Sequence, residues 1–127
     1  MRHRAVLLAL AAASAAAGAA PAAPGRYDAE LCVATRPQAA PTCGAAEVEV
    51  TPARIDVRVA DIVYRLALRP AQVDVETMHG QMQIDEFSAA YEWDGATLRF
   101  SDAAKDVRYE VRIGTRKGAA VKATTRS

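Results

Sequence analysis

Residues 78–95 read MHGQMQIDEFSAAYEWDG. Gly80 supplies positive φ and His79 tolerates it, so His79-Gly80 reads as a tight turn. A two-residue loop there pairs Thr77 with Met82 and Val75 with Ile84, placing Met82 in the core. Apolar parity then switches across Asp85-Glu86. Beyond the switch, Phe87, Ala89, Tyr91 and Trp93 share one face. Asp94-Gly95 is the strongest hairpin signal in the chain. It pairs Trp93 with Ala96, Tyr91 with Leu98 and Ala89 with Phe100. The opposite face carries Ala90, Glu92, Thr97 and Arg99. A turn, a bulged strand and a second turn in succession make the chain all-β.

Working outward, the same alternation continues on both sides. In RIDVRV, Ile55, Val57 and Val59 share a face. In IVYRLAL, Ile62, Tyr64, Leu66 and Leu68 do so. The parity switch at Ala60-Asp61 has two readings, a tight hairpin or a β-bulge. Ala-Asp is poor chemistry for a two-residue hairpin, so the bulge is expected. RPAQ at 69–72 makes a loop, and VDVET turns Val73, Val75 and Thr77 inward. DAAKD at 102–106 is the next loop, and VRYEVRI follows with Val107, Tyr109, Val111 and Ile113 inside. No amphipathic helix and no fixed repeat emerge. The expected fold is a small antiparallel up-and-down meander of about seven or eight strands. Two long bulged strands, at 53–68 and 81–93, favour bending, and hence a barrel over a sandwich.

The N-terminus opens MRHR and continues AVLLALAAASAAAGAA, a basic cap followed by an uncharged apolar run. That is the pattern of a cleaved secretory signal peptide, placed at residues 1–20. A flexible leader at 21–26 precedes a single β domain at 27–114, and a basic tail occupies 115–127. The expected location is the periplasm or the extracellular space, with no integral membrane segment after cleavage. Loss of Arg2 and Arg4 reduces sixteen basic residues to fourteen, against fifteen acidic ones. Balanced, interspersed charge excludes the footprint of a nucleic-acid binder. Cys32 and Cys43 are the two cysteines. In an oxidising compartment they form a disulfide that staples the segment between them. Redox pairs more often use a tight Cys-x-x-Cys, which is absent here.

Catalytic candidates are few. His79 is the one histidine outside the signal segment, and a predicted tight turn does not hold an imidazole for catalysis. Asp61, Asp85 and Glu86 lie at parity switches, where a bulge can re-aim a side chain. No phosphate-cradling loop or dinucleotide fingerprint is present. The expectation is a non-enzymatic protein with no cofactor.

Met78, His79, Met82 and Trp93 resemble the one-His, two-Met, one-Trp inventory of a family of periplasmic copper chaperones built on small β-barrels. That resemblance implies a Cu(I) site at His79, Met78 and Met82, since thioether and imidazole ligands suit the ion. The hairpin register opposes it, because Met78 and Met82 then face opposite ways. YEWDG is similar to the aromatic-rich hairpins of periplasmic lysozyme inhibitors, which are also small, exported, disulfide-bearing β-barrels. The resulting expectation is an exported binding or interaction module, an inhibitor of an envelope hydrolase being its concrete form. The DAAKD loop and the Asp94-Gly95 turn are the candidate contact loops. The alternative is a carrier of a small apolar ligand or lipid, with Tyr64, Tyr91 and Trp93 lining its site. The partner is then an envelope protein or a small apolar molecule, and the oligomeric state stays open.

Overall fold

Alternating apolar and polar residues build nine strands, all antiparallel, in the computed structural model, which describes residues 23–36 and 40–117. They are β1 (Gly25–Ala34), β2 (Thr42–Thr51), β3 (Arg54–Val59), β4 (Ile62–Leu68), β5 (Val73–His79), β6 (Met82–Ala89), β7 (Tyr91–Asp94), β8 (Thr97–Asp102) and β9 (Val107–Arg116). The sheet order is β6-β5-β4-β3-β2-β1-β9-β8-β7. The sheet curls into a nearly closed barrel, with the consecutive strands β6 and β7 at its two edges. Among the described residues no helix is long and apolar enough to cross a membrane. The expected signal segment, and the tail beyond Lys117, lie outside the described residues.

Period-two patterning explains the core. Val48, Val50, Ile55, Val57, Leu66, Val73, Val75, Leu98 and Val111 alternate with polar neighbours and are almost wholly buried. Burial of each such side chain contributes roughly 1.5–3 kcal/mol. Cys32 and Cys43 are register partners on β1 and β2 and form the disulfide. The 69–72 loop also falls where expected, since Leu68 pairs with Val73.

Several expectations are corrected. Nine strands form rather than seven or eight. Ala60-Asp61 is a tight hairpin and not a bulge: Val59 pairs with Ile62, and Ala60 takes φ +53°. Six consecutive β3–β4 residue pairs outweigh the poor turn chemistry. The next turn is Gly80-Gln81, one residue later than expected. Gly80, at φ +64°, takes the first loop position, where a primed hairpin turn needs the positive φ that glycine adopts without strain. His79 therefore pairs with Met82, which is 65% exposed at the rim and not in the core.

A bulge does interrupt β6, at Ile84. Met78 pairs with Gln83 and Thr77 with Asp85, leaving Ile84 as the extra residue, 51% exposed. Val75 thus opposes Phe87, not Ile84, and Asp85 rather than Ile84 turns to the inner face. The last hairpin closes over Gly95-Ala96, pairing Trp93 with Leu98 and Tyr91 with Phe100. That register differs from the expected one by two residues, so every side chain keeps its face. The expected long strand at 81–93 is split at Ala90 into β6 and β7. The strands also run past the expected domain limits, since Gly25 and Arg26 belong to β1 and Thr115 and Arg116 to β9.

Candidate functional site

The segment 82–94 closes the barrel by changing partners. Its first part, β6, is laddered to β5, and after Ala90 its second part, β7, is laddered to β8. Among the described residues no backbone ladder joins β6 to β8. The two face each other across a seam. Alternate residues of the edge strand β6 point both N–H and C=O away from β5, and β8 runs past the β7 ladder at Ser101 and Asp102, so unladdered backbone groups on the β8 side are confined to those two residues.

A cleft of about 490 Å³ opens at this seam. Phe100, Tyr109, Tyr91 and Ala89 give it apolar surface, and Ser88 and Ser101 add small hydroxyl-bearing walls. Behind it lies an aromatic cluster. Phe100 stacks on Tyr109 with ring centroids 5.0 Å apart, and Phe87 stacks on Tyr109 at 5.8 Å. Tyr64 meets Tyr109 edge-on at 6.0 Å. Burial pushes the Tyr109 hydroxyl up to about 12, helped by the neighbouring Tyr64, Asp102 and Asp85.

Several charges at the rim pair with one another. Arg99 donates from Nε to Glu110 at 3.0 Å and pairs with Asp94 at 2.9 Å. Arg112 pairs with Glu110 at 3.0 Å and with Glu30 at 3.2 Å. Arg112, with Arg99, holds the Glu110 carboxyl below its usual range. These side chains are cross-strand neighbours on the outer face, which is why the alternating charges meet.

One end of the seam is spanned by a second set of charges. The bulge at Ile84 turns Asp85 inward, and Lys105 of the 103–106 loop donates to it at 2.5 Å. That bond holds the Asp85 carboxyl below its ordinary range, while Asp85 raises the Lys105 ammonium. Asp102 shapes the loop. It is 3% exposed, and its Oδ1 accepts from the backbone N–H of Ala104 and Lys105.

The three expected ligand-site residues do not converge. Tyr64 sits with Tyr109 toward the 103–106 end. Tyr91 lines the cleft and donates its hydroxyl to the Arg69 carbonyl at 2.7 Å. Trp93 lies further along β7, partly buried against the core beside Leu98. For the copper set, Met78 is buried and shares a face with Gln83, whereas His79 and Met82 pair on the other face and are exposed. Among the described residues, the one group of three metal-capable side chains within 4.8 Å of one another is Glu30, Cys32 and Cys43, and the disulfide removes both thiolates. Ser88, Ser101, Arg99 and Glu110 escaped the sequence reading. One signal could have found the seam. Thirteen residues at 82–94 extend about 43 Å, roughly twice a typical strand, which implies two partners.

Compared with known proteins, the chain matches no family model, no curated protein and no solved structure at a significant level.

Proposed function

We propose that the chain is an exported, non-catalytic binding module that holds a small neutral molecule with a flat apolar face in the seam cleft. The observation that carries this reading is the cleft itself. It sets strands without a shared ladder in front of an aromatic cluster, inside a rim where Arg99, Asp94 and Glu110 already pair with one another. Pockets that combine apolar surface with a few convergent polar groups are the usual form of a small-ligand site. The pairs already made at the rim favour an uncharged ligand, since a charged one would compete with them. The disulfide is compatible with an oxidising, exported environment. The contact loops favour this reading over a hydrolase inhibitor. Lys105 folds back onto Asp85, and Asp94 pairs with Arg99, so neither loop tip holds its charge out toward a partner.

The test is fluorescence titration with N-phenyl-1-naphthylamine, a neutral, flat probe. Saturable enhancement that Tyr91→Ala weakens and Ser101→Trp abolishes is expected. Ser101 is exposed, so the tryptophan plugs the cleft without disturbing the core. Enhancement that is absent, or indifferent to Ser101→Trp, overturns the reading.

A further inference from the structure

The seam is spanned without a backbone ladder, so side chains must hold it shut. From the inside, Phe87 of β6 reaches Phe100 of β8 at 6.2 Å and Tyr109 of β9 at 5.8 Å. From the 103–106 loop, Lys105 reaches Asp85 of β6. Both partners of that ion pair are placed by a local irregularity. On β6, the extra residue Ile84 turns Asp85 to the inner face, opposite Thr77. On the loop, Asp102 ties the backbone N–H of Ala104 and Lys105, and Asp106 takes φ +59°. Positive φ in a non-glycine residue is uncommon and shows how tightly the loop turns. A regular β6 strand or a slack loop would not bring the two groups together. Ala103 of the same loop lines the cleft, so the loop that carries Lys105 is also part of the ligand's wall.

We propose that the Lys105–Asp85 ion pair is a latch on the barrel seam, whose release lets β6 move away from β8 and opens the cleft toward the aromatic cluster. The proposal concerns regulation of the cleft and rests on the small-ligand reading above for its functional meaning. Lys105 is more than half exposed, and Asp85 is partly so. Such a pair is weak enough to open thermally and is screened by salt. The rest of the barrel stays laddered, so opening is local. Phe87 moves with β6, which exposes Phe100 and Tyr109 to an incoming flat ligand.

Hydrogen exchange on Lys105→Met tests this, because methionine keeps the aliphatic stem and removes the charge. Exchange of the seam-facing β6 amides within 85–89 should quicken about two- to fivefold, the change that loss of an exposed ion pair supports, while the alternate amides bonded to β5 keep their rates. Amides of β1 and β2 should keep their rates, which distinguishes seam opening from global destabilisation. Lys105→Arg should restore the wild-type rates, and Asp85→Asn should reproduce the methionine variant. Association of N-phenyl-1-naphthylamine should speed up in Lys105→Met and slow in Lys105→Arg relative to it. Unchanged exchange at 85–89 in Lys105→Met, or quickening shared equally by β1 and β2, overturns the latch whatever the probe does. Probe binding that survives Ser101→Trp overturns the cleft reading instead, while the exchange result still decides the latch.

Discussion

Ala60 and Gly80 occupy the same place in two tight hairpins, at φ +53° and +64°. A side chain at positive φ crowds its own backbone, at a cost of roughly 1–2 kcal/mol. A Cβ added at Gly80 would meet no atom within 4 Å, so that backbone strain is the whole penalty. Alanine also removes about 0.5–1 kcal/mol of backbone freedom from the unfolded chain, so Gly80→Ala is expected to lower unfolding stability by only about 0.5–1 kcal/mol in urea titration. Ala60→Gly should raise it by about as much, because the same two effects act in reverse. Tyr109 makes a second residue-scale prediction. Its hydroxyl is held to about 12 in the fold, above the ordinary value near 10 of an unfolded chain. Between those values the unfolded chain gives up the proton and the folded one keeps it. The linked stability is thus complete below pH 10 and is lost as pH rises toward 12. Denaturant midpoints measured across that interval should fall, and less steeply in Tyr109→Phe.

At the scale of the element, β1 and β2 show a hairpin held both by register and by covalent chemistry. Cys32 pairs with Cys43 near the end of a nine-residue ladder. The closed loop is short, so constraint of the unfolded chain contributes about 2.5–3 kcal/mol. The Cys32→Ser, Cys43→Ser double variant should lose that much in urea, while the far-ultraviolet strand signal persists below the midpoint. A loss well under 1 kcal/mol would show that the ladder alone fixes the hairpin. The faces of the strands were legible in the sequence, because alternation reports directly on burial. Turn positions and pairing partners were less so. Gly80 marked a turn but not which loop position it filled, and that one-residue difference moved Met82 from the core to the rim. Likewise Phe87, Ala89, Tyr91 and Trp93 keep one parity across Ala90, so nothing periodic announces the change of partner there. Periodicity therefore does not reveal the cleft, and only the length of 82–94 hints at the seam where it lies. Its walls are defined by where two edges fail to pair, a property of the closed sheet and not of any one strand.

At the scale of the whole molecule, sheet order sets the hierarchy of local stability. β1, β2 and β3 each lie between two laddered neighbours, with β1 bonded to both β2 and β9. β6 has a ladder on one side only, and its bulged first half bears the exposed Met82 and Ile84. An open, apolar edge invites pairing with another chain. The bulge and the inward Asp85 blunt that hazard, since both interrupt the regular edge that a second strand would need. Native-state hydrogen exchange should consequently rank the amides by sheet position. The slowest should lie in β1, β2 and β3, where opening requires breaking ladders on both sides. The fastest strand amides should be those of β6 that point to the seam, alternating with slower ones bonded to β5. That alternation is the decisive feature, because a loosely packed strand would exchange quickly at every residue. If the seam-facing amides of β6 instead matched β2, a backbone ladder would close the barrel in solution. The cleft would then be sealed, and both the ligand reading and the latch would lose their common ground.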